Sequence, residues 1–216
     1  MKAIVILSGG QDSVTCLFWA IKKYGADNVE GLGFDYNQRH VAELDCAKNI
    51  CANHHIPFTI LPLPMPAALG TNALTDTTLD VDTTKPADTP PNTLVEGRNI
   101  LFLTYGAIFA KARGARSIVT GVSESDFSGY PDCRDMFVKA CNVSINLGMD
   151  HPFIFETPLM WRDKAQVWQL AQDLGVLDII RTQTLTCYHG ILGDGCGNCP
   201  ACHLRKNGYE EFLCTK

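Results

Sequence analysis

The sequence has no long apolar run and only a modest number of basic residues. None of its apolar stretches approaches the about 18 consecutive residues that a membrane-spanning helix needs. The apolar part of the opening MKAIVILSGG is also shorter than the core of a secretory signal. Lys and Arg number 18 against 23 Asp and Glu, and the resulting net charge of −5 argues against a large nucleic-acid-binding surface. We therefore expect a cytoplasmic protein with neither a membrane nor a nucleic acid as partner.

The glycine-containing segment LSGGQDSVTCL (7–17) lacks the residues of two common nucleotide motifs. It has no lysine, which a Walker A loop requires, and it does not supply the G-x-G-x-x-G of a dinucleotide-binding fingerprint. It does follow the β-branched run KAIVIL and precedes apolar residues at helical spacing. Such a segment is either a plain strand–turn–helix connection or an anion-binding loop of another kind.

Several residues of this segment suit an anion. The glycine pair lets the backbone approach a ligand closely and take positive φ, and backbone amides at a helix N-terminus attract negative charge. The two serines add hydroxyl donors, whereas Asp12 is expected to orient Mg²⁺ or to cap the helix. We therefore predict a phosphate-binding loop made of Ser8, Gly9, Gly10, Gln11, Asp12, Ser13 and Val14.

Apolar strand-like runs alternate with helical patterns along the chain, which indicates right-handed crossovers and a parallel sheet. We predict an α/β fold, a Rossmann-like five-stranded parallel sheet with helices on both faces, over residues 1–184. Ligands bind such sheets beyond the carboxyl ends of the strands, where residues 8–13 would lie. The strands are predicted at 2–7, 28–34, 57–63, 117–122 and 152–159, and helices are predicted over about 38–54, 99–114, 133–148 and a segment ending near Gly175.

Residues 62–93 interrupt this alternation. They contain six of the 11 prolines and show no regular period. A loop of this length is functional or disordered. We favour a mobile cover over the active site, because the segment follows the carboxyl end of a predicted strand; an unstructured insertion is the alternative.

Four of the 10 cysteines crowd the end of the chain in the pattern C-x8-C-G-N-C-P-A-C. Two overlapping C-x2-C steps bring thiolates together at tight turns, and four thiolates complete a closed tetrahedral zinc site. An iron–sulfur cluster and free thiols are the alternatives. We therefore predict a small zinc-binding region over residues 185–216, with one structural zinc ion held by Cys187, Cys196, Cys199 and Cys202.

Two basic residues and one cysteine lie at predicted helix starts, where they could act in binding or catalysis. Arg98 begins a predicted helix after the proline-rich segment, and Lys164 begins another after the fifth strand. Both are predicted to contact phosphate, the alternatives being a salt bridge for Arg98 and a solvated side chain for Lys164. Cys133 lies at a helix start, which lowers a thiol pKa, but it is more simply a packing residue.

The string S-G-G-x-D-S resembles the signature of the PP-loop ATP pyrophosphatases, which adenylate an oxygen and hold the departing pyrophosphate. Further segments, FDYNQRH, GRNILFL, ESDFSGYPDCR, TPLMWRDK and LTCYHGILGDGCGNCPACHLR, resemble the 7-cyano-7-deazaguanine synthase family of queuosine biosynthesis. The resemblance covers nearly the whole chain outside 62–93. Asn37 stands where that family has glycine, and asparagine tolerates positive φ better than most residues.

The resemblance implies a ligase that uses ATP to convert 7-carboxy-7-deazaguanine and ammonia into the 7-nitrile, and it implies a homodimer. Asp12, Arg98 and Lys164 would be the catalytic residues. Tyr130 would stack on the deazapurine and Asp132 would accept from its N–H groups, although a Pro-Asp turn explains the same letters. The alternatives are a PP-loop enzyme that thiolates tRNA and a nucleotide-binding, zinc-stabilised sensor.

Overall fold

The computed structural model describes residues 1–38, 42–64, 72–76, 78–79, 81, 92–124 and 130–215. Within these ranges the chain forms a five-stranded parallel sheet with the order β3-β2-β1-β4-β5. The strands are β1 (Ala3–Ile6), β2 (Val29–Asp35), β3 (Phe58–Pro62), β4 (Ser117–Val119) and β5 (Ile154–Glu156). The helices are α1 (Gln11–Tyr24), α2 (Ala42–Asn53), α3 (Arg98–Ala112), α4 (Asp135–Met149), α5 (Lys164–Asp173), α6 (Leu177–Gln183) and α7 (Pro200–Cys214).

Both faces of the sheet are covered, because the strand residues alternate between two cores. Ala3, Val5 and Leu7 lie in one core with residues of α1, α2, α5, α6 and α7, whereas Ile4 lies in the other with residues of α3 and α4. The predicted α/β fold is therefore confirmed. Strands β4 and β5 are shorter than predicted, and α6 and α7 lie in segments for which no helix was predicted.

The C-terminal segment packs on the main domain. Phe212 of α7 is buried in the same core as Trp168 of α5, and Gly208 of α7 approaches Lys164 so closely that an added Cβ would lie 2.5 Å from the Lys164 Cβ. The division at residue 184 stays a prediction. None of the helices in the described ranges combines the length and apolar character that crossing a bilayer requires.

The proposed cover falls mostly outside the described residues, which include only parts of 62–93. Among these parts, Leu63 and Leu74 pack in the core that contains α3. The prediction of a mobile cover therefore stays a prediction. Asn37, which stands where the resembling family has glycine, has a φ of 62°, in the left-handed region that asparagine was expected to tolerate.

Candidate active site and metal centre

A cavity of about 320 Å³ opens at the carboxyl ends of β1, β2 and β4. The order of the strands reverses between β1 and β4, and such a reversal is where open parallel sheets bind ligands. The walls come from the predicted phosphate loop, from the ends of β2 and β4, from the start of α3 and from residues 185–188. Ser8, Asp12, Ser13, Arg98 and Tyr130 all line this cavity.

The loop between β1 and α1 is organised around the Ser13 hydroxyl. The backbone N–H groups of Ser8 and Gly9 donate to Ser13 Oγ over 3.2 and 3.3 Å, and Ser13 Oγ donates to the Gly10 carbonyl over 3.1 Å. The Gln11 N–H, at the start of α1, donates to Thr186 Oγ1 over 3.2 Å. The backbone amides of the loop therefore converge on hydroxyl groups at the edge of the cavity.

The two loop glycines have different conformations. Gly9 has a φ of 97°, and a Cβ added there would lie 1.9 Å from the Glu43 carbonyl oxygen, so both its backbone and its surroundings require glycine. Gly10 has a φ of −78° and serves as the N-cap of α1. Positive φ, expected for the pair, occurs only at Gly9. The Gln11 side chain is buried, and neither of its polar atoms has a hydrogen-bond partner in the described structure.

Asp12 and Lys164, predicted separately as catalytic, form an ion pair. Lys164 Nζ lies 3.0 Å from both carboxylate oxygens of Asp12. The Lys164 side chain is 8% exposed and that of Asp12 is 33% exposed. Asp163 caps α5 in a reciprocal capping box with Gln166, which fixes the start of the helix that carries Lys164. Asp12 lines the cavity, whereas Lys164 is not a lining residue and contacts the Asp12 carboxylate.

Arg98 begins α3 immediately after Gly97, whose φ is 73°. Its side chain lines the cavity and Nη1 donates to the Tyr36 hydroxyl over 3.5 Å. Among the described residues, no carboxylate forms an ion pair with Arg98, and its buried Nε has no hydrogen-bond partner. The salt bridge considered for this arginine is thus not found in the described ranges.

Tyr130 and Asp132 have different surroundings. Tyr130 lines the cavity, and its hydroxyl lies 2.5 Å from Thr93 Oγ1. Asp132 is buried and is not among the lining residues. Its Oδ2 accepts from the Asn99 N–H over 3.2 Å, and its carbonyl accepts from Asn99 Nδ2 over 3.1 Å. Asp132 therefore holds the N-terminus of α3, while contact with a substrate stays a prediction.

Cys133 lines the cavity, yet its thiol is not activated. Burial raises its pKa to about 12, and Asn99 Nδ2 lies 3.6 Å from its Sγ. The thiolate, which is the nucleophilic form, is therefore scarce at neutral pH. This agrees with the packing role preferred for this residue.

The four C-terminal cysteines come together at the start of α7. Cys199 Sγ and Cys202 Sγ are 3.4 Å apart, and Cys196 Sγ is 3.9 Å from Cys202 Sγ. The ligand atoms of Cys187, His189, Cys196 and Cys199 all lie within 4.8 Å of one another. The backbone N–H of Asn198 lowers the pKa of the Cys196 thiol to about 5, which favours the thiolate that metals bind.

The packing of this cluster requires glycine at one position. Gly195 has a φ of 76°, and a Cβ there would lie 2.3 Å from Cys202 Sγ. His189 Nδ1 lies 3.3 Å from Cys196 Sγ. The cluster can therefore hold a metal ion, and the mutually close ligand set is three of the predicted cysteines with His189, while Cys202 lies beside them.

Three residues near the site received no role from the sequence. Glu43 lines the cavity from the first turn of α2. The buried Arg205 donates to Thr186 Oγ1 over 3.1 Å, and Thr186 Oγ1 also accepts from the phosphate loop. In the sequence, Arg205 and Thr186 are marked only by their proximity to the cysteine pattern. No local signal distinguishes Glu43 from an ordinary solvated residue of a helix.

Comparison with known proteins identifies relatives over nearly the whole chain. The family described as queuosine biosynthesis protein QueC matches residues 2–213. Proteins named 7-cyano-7-deazaguanine synthase from Clostridium acetobutylicum and Clostridium novyi are 59% and 57% identical over 211 residues. The alignments cover 98% of this chain and 94% and 95% of those proteins.

Among solved structures, the chain is similar to the U34-tRNA thiolase NcsA from Methanococcus maripaludis with its [4Fe-4S] cluster. The TM-score is 0.47 at 16% identity, over 82% of this chain and 57% of the thiolase. A similarity at this level does not indicate a shared activity.

Proposed function

Because the chain belongs to the family of queuosine biosynthesis protein QueC, we propose that it converts 7-carboxy-7-deazaguanine and ammonia, with ATP, into 7-cyano-7-deazaguanine. The single observation that supports this most is that the phosphate loop, Arg98 and Tyr130 open into one cavity. A nucleotide and a planar base can meet there. The proposed class is therefore a ligase that forms a carbon–nitrogen bond.

The chemistry explains the need for ATP. A carboxylate is a poor electrophile because its leaving group would be oxide, whereas its adenylate releases AMP and lets ammonia form an amide. Activation of the amide oxygen in the same way then allows its loss and leaves the nitrile. Because both activations act on an oxygen of the same carbon, one site can perform both.

The proposed nucleotide subsite is residues 8–14, where the Ser13 hydroxyl accepts from the Ser8 and Gly9 amides at the cavity wall and the α1 N-terminus would face the pyrophosphate. Arg98, which lines the cavity and has no ion-pair partner in the described ranges, supplies positive charge to the phosphates. Mg²⁺ would be held by Asp12 together with the phosphates and would neutralise their charge. Lys164 orients the Asp12 carboxylate.

The proposed base subsite contains Tyr130, whose ring would stack on the deazapurine. Asp132 remains the proposed acceptor for the base N–H groups. Its Oδ2 already accepts from Asn99, so Oδ1, which has only the Cys133 thiol 4.0 Å away as a donor in the described ranges, is the oxygen that would serve.

At the C-terminal end, we propose one structural zinc ion held by Cys187, Cys196, Cys199 and Cys202. Four thiolates leave no open position, and no step of the reaction needs the metal. Supporting this set, the sulfur atoms of Cys199 and Cys202 and of Cys196 and Cys202 lie within 4 Å of each other.

The proposed homodimer is supported by an apolar surface on α3 and α4. Met136, Val143 and Leu147 lie along one face of α4 and are exposed, as are Ile100 and Ile108 on the adjacent α3. Exposed apolar side chains on two adjacent helices are often covered by a second subunit.

Incubation with ATP, ammonia and the carboxylate base tests the function. We expect the nitrile, detected by mass spectrometry, together with AMP and pyrophosphate. Turnover on tRNA with no nitrile would instead establish the thiolating alternative, and nucleotide binding without consumption would establish a sensor. Release of ADP and phosphate would contradict activation at the α-phosphorus.

A further inference from the structure

We propose that Glu43 is a catalytic base that accepts the protons released from the substrate nitrogen, an inference that rests on the proposed function. Glu43 lines the same cavity as Asp12, Arg98 and Tyr130. It stands in the first turn of α2, the helix that follows β2 in the chain. No sequence motif singles it out, and its position in the fold is what gives it this role.

The backbone of Glu43 lies against the phosphate loop. Its carbonyl oxygen lies so close to Gly9 that even a methyl group on Gly9 would be 1.9 Å away. The start of α2 and the loop are therefore in direct backbone contact. This contact places Glu43 beside a nucleotide bound by the loop, and a general base must lie within reach of the proton it accepts.

The charge environment suits a base that works near neutral pH. Burial raises the pKa of the Glu43 carboxyl to about 7, although the Arg98 guanidinium acts to lower it. Within the described ranges, the carboxyl has no ion-pair partner. Of the described residues, Arg98 is the one whose charge acts on this carboxyl, and it does so without an ion-pair contact.

The other titratable groups around the cavity do not compete for this role. Burial raises the pKa of Tyr36, of Tyr188 and of the Cys133 thiol, so all three stay protonated near neutral pH. Asp12 is paired with Lys164, and Arg98 stays charged. The lining residues of the described cavity include no histidine.

The reaction needs a proton acceptor each time a bond to nitrogen is made. When ammonia attacks the adenylated carboxyl, the C–N bond forms, the C–O bond breaks with its electron pair going to AMP, and one N–H proton passes to the Glu43 carboxylate. Activation of the amide oxygen releases a second N–H proton, and loss of the second AMP to leave the nitrile releases a third. Glu43 returns each proton to solvent before the next step.

Adenylation of the carboxylate differs from these steps because it releases no proton. This difference provides the test. Glu43→Gln should retain pyrophosphate exchange into ATP driven by the carboxylate base, and it should lose about 10²–10⁴-fold in the single-turnover rate of amide formation from ammonia. Asp45→Asn, an exposed carboxyl on the same helix, should leave both rates unchanged.

The pH profile gives an independent readout. In the unmodified protein, amide formation should decline below about pH 7, because the base must be ionised to accept a proton. Glu43→Gln should lack this decline. A parallel loss of exchange and amide formation in Glu43→Gln, or an unchanged amide rate, would overturn the proposal. If the unmodified protein shows no exchange with the carboxylate base, the proposed function fails instead.

Discussion

Lys164 Nζ lies equidistant, at 3.0 Å, from the two carboxylate oxygens of Asp12, a residue 152 positions earlier in the chain. The contact joins the start of α5 to the first turn of α1, beside the phosphate loop. It fixes the carboxylate with a buried ammonium group, whereas Asp12 itself remains open to the cavity.

Replacing either partner of this pair should abolish most activity. For Asp12→Asn and Lys164→Met we expect the rate of AMP release to fall by about 10²–10³-fold, since the first removes the proposed ligand of Mg²⁺ and the second removes the ammonium group that orients it. Steady-state assays with ATP and the carboxylate base measure this. Both variants should keep the metal content of the unmodified protein, because the cysteine cluster is a separate structure. Lys164→Met with normal turnover would contradict the role of the pair.

The position of Lys164 also depends on Gly208 of α7, which packs against the Lys164 backbone and Cβ. A Cβ at Gly208 would lie 2.5 Å from Lys164 Cβ and 2.9 Å from its backbone carbon, so Gly208→Ala must displace α5 or α7. We expect a loss of about 1–3 kcal/mol in the free energy of unfolding, measured by urea denaturation, together with reduced turnover.

Gly148→Ala is the matched control for that change. Gly148 lies in α4, and a Cβ there would meet nothing within 4 Å. This substitution should stabilise the protein by about 0.5–1 kcal/mol, because alanine loses less conformational entropy in a helix. If both substitutions changed the free energy of unfolding equally, the close contact between Gly208 and Lys164 would not be the reason for a glycine at this position.

The strands and the loop were predictable because their signals are local. A β-branched run, a glycine bend and a helical period identify β1, the phosphate loop and α1 without any distant contact. The left-handed conformation of Asn37 likewise follows from the properties of that residue. Helix α7 carries fewer local signals, because its burial depends on packing against α5 and on the cysteines at its start.

The site is the less predictable part, because its contacts join residues far apart in the chain. The sequence indicates Asp12 and Lys164 separately, and only the approach of α5 to α1 pairs them. It also suggests Asp132 as a substrate ligand, whereas the structure uses one of its oxygens to hold α3. Glu43 becomes significant only because the start of α2 contacts the loop.

Metal analysis should give about one zinc per chain, as four thiolates without an open position imply. Cys199→Ser should lower the zinc content and the melting temperature, because Cys199 is fully buried and is the N-cap residue of α7. Cys214→Ser, an exposed cysteine outside the cluster, should change neither. A brown protein containing iron and sulfide would contradict the assignment of zinc.

Arg205 connects this metal-binding helix to the phosphate loop. Its guanidinium donates to Thr184 Oγ1 and Thr186 Oγ1 over 2.9 and 3.1 Å and to two carbonyls in the last turn of α6 over 2.8 and 3.0 Å. No carboxylate in the described ranges pairs with it. Arg205→Met should therefore lower the free energy of unfolding by about 3 kcal/mol, because several hydrogen bonds from a charged donor are lost.

Thr186→Val separates the effect on the loop from the effect on stability. The valine keeps the shape of the side chain but removes the hydroxyl that accepts from Gln11 N–H and from Arg205. Three of the four Arg205 acceptors remain, so the stability loss should be smaller, about 1 kcal/mol. Because the Gln11 amide begins α1 beside the proposed pyrophosphate site, the KM for ATP should rise in Thr186→Val. An unchanged KM for ATP would mean that the α1 N-terminus is held by its own loop, and that the link from the cysteine cluster through Arg205 serves stability alone.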